Sequence, residues 1–330
     1  MKTNKTVSFI LAAAFIFISC ISLVSCKKDP SKDDPVTILP GTSAEATMPP
    51  ASEAPSTAPD TDFTPVPGTE KPVETDAPAV TDAPSAPPAG FVSIGTDDMP
   101  ARFTMPTELY GLSEQECENW FSDAVFVGDS LTLGWKNFNS KMMESNPDFF
   151  GQTHFFCEGS YGTGHALEPI SEDSLHPMYG GEQHFIWDAV SLMKAKKVFI
   201  LFGLNDIAIY GVQGTADNFA ELISRIRQNS PDAEIYIISA MYMYKGSEKK
   251  KLNNKNIYAL NKKLAAYCNE NDAEFINIAS HLIDENGFVP DEYSSDKYVH
   301  QTQKAYLIWA EILRSVAARH ISGMGKVCFN

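Results

Sequence analysis

Basic residues are scarce in this chain. Its 330 residues hold 26 lysines and arginines against 42 aspartates and glutamates, a formal net charge of -16. A phosphate backbone is gripped by a basic footprint, so this balance excludes nucleic acid as a partner. Cysteine is scarce too. There are six, and Cys20 and Cys26 fall within the N-terminal targeting segment. Six at this length do not make a disulfide scaffold, and no cysteine and histidine cluster has zinc spacing, so neither metal nor organic cofactor is expected. Of the other four, Cys157 sits in an apolar strand pattern and reads as a small buried hydrophobe. Cys117 and Cys328 flank the globular part and could pair outside the cytoplasm, which nothing in the sequence decides. Internal repeats are missing. Proline is thin in the last two thirds, because 14 of the 21 prolines crowd between Lys27 and Gly90.

What is present begins with a targeting segment. Lys2 and Lys5 precede an almost wholly apolar run from Val7 to Val24, followed by Leu23-Val24-Ser25-Cys26 and then Lys27-Lys28. About 18 apolar residues could just span a bilayer. A small residue ahead of a cleavage point reads instead as a signal peptide over 1–25. Leu-Val-Ser-Cys resembles a bacterial lipobox, which implies lipidation of Cys26 and a place on the extracytoplasmic face of a cell membrane. Residues 26–95 then form a low-complexity tether of Pro, Ala, Ser, Thr and Asp. From Lys27 to Gly90 it holds 11 acidic residues and four lysines. Such a stretch buries too little apolar surface to offset its ordering entropy. As a random coil it reaches about 45 Å.

Residues 96–330 read as one globular domain. Strands are expected at Asp123 to Val127, Thr153 to Cys157, Lys197 to Phe202, Glu234 to Ser239 and Glu274 to Ile278, short apolar runs typical of strands covered on both faces. Helical patterns run from Ala216 to Asn229, Asn254 to Asn269 and Gln301 to Arg319. The last carries Ala305, Ile308, Trp309, Ile312 and Val316 on one stripe. This alternation implies an α/β fold, a flavodoxin-like three-layer α/β/α sandwich around a mostly parallel sheet of about five strands.

Chemistry-bearing residues cluster where those strands end. Strand-like Ala124 to Val127 stops at Gly128-Asp129-Ser130 and turns into a helical pattern. Ser130 therefore stands at the carboxyl edge of a sheet, next to the N–H groups that open a helix. Lys197 to Phe202 runs into Gly203-Leu204-Asn205-Asp206. Between these lies Phe155-Phe156-Cys157-Glu158-Gly159-Ser160-Tyr161-Gly162. Near the C-terminus, Ser295-Asp296-Lys297-Tyr298-Val299-His300 precedes the last helix. Ser, Gly, Asn and His in that order resemble the four blocks of the GDSL-type, or SGNH, hydrolases, over roughly Asp123 to Ala318.

That resemblance implies a serine esterase working through an acyl-enzyme. Ser130 would be the nucleophile, His300 its base and Asp296 the carboxylate behind the histidine. Ser130 N–H, Gly162 N–H and the Asn205 amide would hold the oxyanion. Several points stay open. The family's last block reads Asp-x-x-His, but here Asp296 stands four residues before His300. Asp291, or no carboxylate at all, is the alternative. Gly159 competes with Gly162, and Asn205 could instead cap a helix. His281 is the fallback base, and the other histidines read as surface or local packing groups. Trp135, Tyr161, Tyr242 and Tyr244 could line a cleft or simply pack. The Lys249-Lys250-Lys251 run reads as a solvated loop. The substrate expected is a short-acyl, O-acetyl type ester on polysaccharide, hydrolysed by a monomer. Lipid or lysophospholipid esters, transfer to a sugar, or a non-catalytic binding lipoprotein are the rivals.

Overall fold

A computed structural model describes residue 100, residues 107–151 and residues 153–329. The signal peptide, Cys26 and the tether of residues 26–95 lie outside the described residues. Five strands form one parallel sheet: β1 (Ala124–Gly128), β2 (His154–Cys157), β5 (Lys197–Leu201), β6 (Glu234–Ile238) and β7 (Ala273–Ile276), in the order β2-β1-β5-β6-β7. Two short strands, β3 (Met178–Tyr179) and β4 (Glu182–Gln183), make a separate antiparallel hairpin. Every residue of β1, β5 and β7 is buried, including the charged Lys197 and Glu274 that interrupt two otherwise apolar runs.

The helices are α1 (Glu114–Asn119), α2 (Ser130–Met143), α3 (Thr163–Leu167), α4 (Ile186–Leu192), α5 (Leu204–Asn229), α6 (Asn254–Glu270) and α7 (Gln303–Ile321). Through α2 the chain steps from β1 to β2 in one direction along the sheet. Through α5 and α6 it steps from β5 to β7 in the other. Right-handed crossovers in opposite directions put these helices on opposite faces. Accordingly α7 packs on α1 and α2, while α4, α5 and α6 pack in series. The result is the three-layer sandwich with flavodoxin-like strand order.

One row of side chains crosses the sheet on the α1/α7 face. Phe155, Phe126, Phe199 and Tyr236 are register partners on β2, β1, β5 and β6, and their rings stack at 5.7, 4.7 and 4.6 Å between centroids. The fifth member of the row, on β7, is Glu274, a buried carboxylate. It accepts from Arg319 Nη2 at 2.8 Å and pairs with His320 Nε2 at 2.6 Å, which ties the end of α7 to the sheet. Arg314, in the middle of α7, pairs with Glu118 of α1.

Three readings need correcting. The helix expected from Ala216 begins at Leu204, with a non-helical break at Gly211 (φ 69°). The piece before that glycine has seven residues, too few to display a period of 3.6. Asn205 is not a helix cap: Gly203 occupies that position and Asn205 lies inside the first turn. All four described cysteines are free, Cys117 and Cys328 included.

Candidate active site

β1 and β5 are the neighbours between which the strand order reverses, and their last residues, Gly128 and Leu201, are register partners. Ligands of such sheets lie outside the carboxyl ends of the strands at this switch point. Gly128 is required there by close approach. A Cβ on it would sit 2.6 Å from the Leu201 carbonyl oxygen and collide with the Thr132 side chain. Asp129 then caps α2 by accepting from Leu131 N–H at 2.9 Å. Ser130 becomes the first helical residue, so its own N–H has no intrahelical partner.

The imidazole arrives from the far end of the chain. His300 Nε2 lies 3.0 Å from Ser130 Oγ, and its Nδ1 lies 2.6 Å from Asp296 Oδ2. With the Nδ1 proton directed at Asp296, Nε2 is free to accept from the serine hydroxyl. The extra residue in Asp-x-x-x-His is absorbed locally. Lys297 takes a left-handed φ of 55°, and Asp296 Oδ1 accepts from the N–H groups of Tyr298, Val299 and His300 at 2.8, 3.1 and 3.1 Å. Burial opposes ionisation of Asp296, yet these bonds and the His300 ring outweigh it and hold its pKa below the ordinary carboxylate value. Asp291 is engaged elsewhere, accepting from the Tyr244 hydroxyl at 2.8 Å. His281 sits on a 3-10 turn after β7, where burial pushes its pKa down to about 4.

Opposite the histidine, two loops are clamped together. Asn205 Nδ2 donates to the Tyr161 carbonyl at 2.9 Å. Asp206 Oδ1 accepts from Thr163 Oγ1 at 2.8 Å and from Gly164 N–H at 3.1 Å. Between these anchors lies Gly162, where a Cβ would come within 2.8 Å of the Asp206 carboxylate. The Gly159 N–H is occupied by the Glu158 carboxylate at 2.9 Å, whereas the Gly162 N–H has no acceptor among the described residues. An amide nitrogen carries two protons, so Asn205 keeps one after serving Tyr161. Ser130 N–H, Gly162 N–H and Asn205 thus lie beyond the ends of β1, β2 and β5, at the starts of α2, α3 and α5. Asp206 went unnoticed in the sequence. Its only signal was adjacency to Asn205, and its partners come from a segment some 40 residues away.

Asp129 is 2 % exposed. Burial raises its pKa to about 7, with the nearby Asp206 charge adding to the effect, against the opposing Leu131 hydrogen bond. The Cys157 thiol, at the end of β2, is pushed up to about 12 by burial and supplies no competing thiolate. Trp135, Tyr161 and Tyr242 are core residues rather than cleft lining. Lys249 sits over the Tyr298 ring. Among the described residues no group of His, Cys, Asp and Glu could hold a metal ion, and no helix is long and apolar enough to cross a membrane.

The arrangement can take a proton from a hydroxyl, carry it on an oriented imidazole, and offer N–H donors to a developing oxyanion. The profile of the GDSL-like Lipase/Acylhydrolase family matches residues 126–308. The chain is similar in fold to a GDSL-like lipase from Bacteroides thetaiotaomicron, at 18% identity and a TM-score of 0.45, over 65% of this chain and 95% of that one. It is also similar to the lipase/acylhydrolase from Enterococcus faecalis, at 15% identity and 0.43, over 63% and 99%. No curated protein matches the chain.

Proposed function

The chain belongs to the GDSL-like lipase/acylhydrolase family, a hydrolase family, and on that premise we propose that it is an extracytoplasmic serine esterase for short-acyl, O-acetyl type esters on carbohydrate. The observation that carries this reading is the relay itself. Ser130 Oγ is 3.0 Å from His300 Nε2, and His300 Nδ1 is 2.6 Å from Asp296.

His300 takes the proton as Ser130 attacks the ester carbonyl. The tetrahedral oxyanion is held by Ser130 N–H, Gly162 N–H and Asn205, and His300 returns the proton to the leaving alcohol. Water then repeats the sequence on the acyl-serine. Asp296 keeps the ring in the right tautomer and stabilises its charged form. The His300 side chain is 46% exposed, which favours water as the acceptor and suits a bulky polymeric substrate. Leu-Val-Ser-Cys supports a lipid on Cys26, with residues 26–95 as the tether that gives the domain reach; Cys26→Ser should then shift the protein out of the membrane fraction.

Ser130→Ala tests the activity. It deletes one oxygen at a sheet edge, so the fold should persist while ester turnover and labelling by a fluorophosphonate disappear. Full turnover in that variant would sink the reading.

A further inference from the structure

The loop between β6 and α6 is a basic stretch in an acidic chain. From Tyr244 to Asn256 it holds five lysines (Lys245, Lys249, Lys250, Lys251 and Lys255) and one glutamate, whereas the whole chain has a net charge of -16. A run of exposed lysines is ordinarily a solvated face. This one stands on a fixed backbone. Leu252 is buried and anchors the loop to the core. Asn253 Nδ2 donates to the Lys250 carbonyl at 2.8 Å, and Asn256 Nδ2 donates to the Lys251 carbonyl at 2.6 Å. Lys249 N–H donates to the Leu252 carbonyl at 2.8 Å. Glu248, the one acid, is turned to the start of α6, where it accepts from Asn254 N–H at 2.7 Å. Among the described residues none of the five lysines forms an ion pair.

The loop also touches both walls of the candidate active site. On the histidine side, Tyr244 N–H donates to the Tyr298 carbonyl at 2.9 Å, and the Lys249 ammonium lies 4.8 Å from the Tyr298 ring centroid. Tyr298 belongs to the loop that carries Asp296 and His300. On the oxyanion side, Lys251 Nζ donates to the Ile209 carbonyl at 3.4 Å, in the same first stretch of α5 as Asn205.

We propose that the Lys245–Lys255 loop is a docking surface for an acidic polysaccharide, so that the ester brought to Ser130 is carried on a polymer bearing carboxylates. The proposal rests on the carbohydrate-esterase reading above. A neutral glycan offers unpaired ammonium groups nothing to bind, whereas a uronate repeat offers one carboxylate after another. The loop uses lysine and no arginine. Compact point charges suit a polymer held in many registers, where a guanidinium fork would fix a single carboxylate. β6 ends two strands from β1, about 10 Å at the usual strand spacing, so a few linked sugars bridge the loop and the nucleophile. A flat anionic bilayer would also press on Asp291, which is 74% exposed and bonded to the Tyr244 hydroxyl beside the loop. A single polymer strand can follow the lysines past it.

The test compares the full chain with Lys249→Gln/Lys250→Gln/Lys251→Gln on O-acetylated polygalacturonate, O-acetylated xylan and p-nitrophenyl acetate. Neutralising three exposed charges should lower kcat/KM on the acidic polymer about tenfold more than on the neutral polymer or the phenyl ester, since each exposed charge pair contributes a few-fold. Raising the ionic strength to about 1 M, where the screening length falls to about 3 Å, should erase the difference between parent and variant. Because Lys249 lies on the Tyr298 ring, Lys250→Gln/Lys255→Gln serves as a second variant and should show a smaller loss of the same selectivity. Binding is measured apart from turnover: Ser130→Ala should bind unesterified polygalacturonate and lose that binding when the three lysines are replaced. Equal losses on all three esters would overturn the proposal, as would polygalacturonate binding that ignores both the lysines and salt. A lysine-dependent preference for phosphatidylglycerol over phosphatidylcholine vesicles, with polymer turnover and binding unaffected, would overturn it in favour of a membrane-facing loop. Lysine-dependent polygalacturonate binding by a parent protein that takes no fluorophosphonate and turns over none of the esters would instead overturn the esterase reading itself.

Discussion

Carboxylate–imidazole pairs of the same length stand at opposite ends of one sheet. At the carboxyl end, Asp296 and His300 lie 2.6 Å apart, with side chains 33% and 46% exposed. At the amino end, Glu274 and His320 also lie 2.6 Å apart, but Glu274 is 3% exposed and shares its charge with Arg319. Each pair borders a groove of similar size, about 300 and 250 Å³. The difference lies in what the second ring nitrogen and the second carboxylate oxygen meet. The His300 ring turns its free nitrogen to a serine hydroxyl, and Asp296 spends its other oxygen on the loop backbone. The His320 ring lies against Trp120, and Glu274 spends its other oxygen on a guanidinium that locks α7. A short carboxylate–histidine contact thus says little about function until the rest of each group's surroundings is known.

The comparison breaks most sharply at Asp296. Asp296→Asn should lower kcat by up to about 10⁴, since the imidazolium loses its anionic partner, while Tm changes little. Asp291→Asn should be nearly silent, because that carboxylate faces Tyr244. A severe defect at Asp291 beside a mild one at Asp296, measured side by side across a pH–rate profile, would reverse the assignment.

Asn205→Ala comes next. Removing one oxyanion donor typically lowers kcat by roughly 10²–10³ with little change in KM. A rise in KM alone would make Asn205 a loop clamp through Tyr161 and no more.

The amino-end pair should behave in the opposite manner. Glu274→Ala leaves the buried Arg319 guanidinium without its counter-charge and His320 without its partner, which costs about 3–5 kcal/mol for a buried pair. Denaturant unfolding should show that loss, and kcat measured well below Tm should stay at the parent value. A catalytic defect without destabilisation would refute the division of labour between the two ends.

The smallest expected effect concerns Asp129, a buried carboxylate. Its folded pKa of about 7 lies above the value of about 4 of an unfolded aspartate. The native state therefore binds that proton more tightly, and stability declines as pH rises from about 4 to about 7. Asp129→Asn keeps an acceptor for Leu131 N–H and removes the titration. Its Tm should exceed the parent's by a few degrees at pH 8, with the gap closing toward pH 4. A gap that widens on acidification would contradict the assignment.

Much of the sheet was legible because each strand is a short apolar run covered on both sides, and those runs locate β1, β2, β5, β6 and β7 within one or two residues. The blocks around Ser130 and Asn205 were legible for the same reason: a strand that ends on glycine marks a junction. Four things were not. The reach of Asp296 depends on the left-handed backbone of Lys297, which no residue-type signal announces for a lysine. The choice between Gly162 and Gly159 turns on the Glu158 carboxylate occupying one N–H. Asp206 acquires meaning only from partners brought in by tertiary packing. The hairpin β3–β4 has two residues per strand, too few for alternation to register.

The packing of Trp120 has an optical consequence. Its indole lies flat on the His320 ring, 5.2 Å between centroids and 27° from parallel, and edge-on to Tyr236. The ring that covers the indole is carried by α7 itself, so the surroundings of this indole depend on how that helix is seated. Trp120 is therefore a built-in fluorescent gauge of whether α7 is seated on the amino end of the sheet. Unseating α7 would shift its emission, whereas events confined to the loops around Ser130, at the other end of the strands, would leave it unchanged.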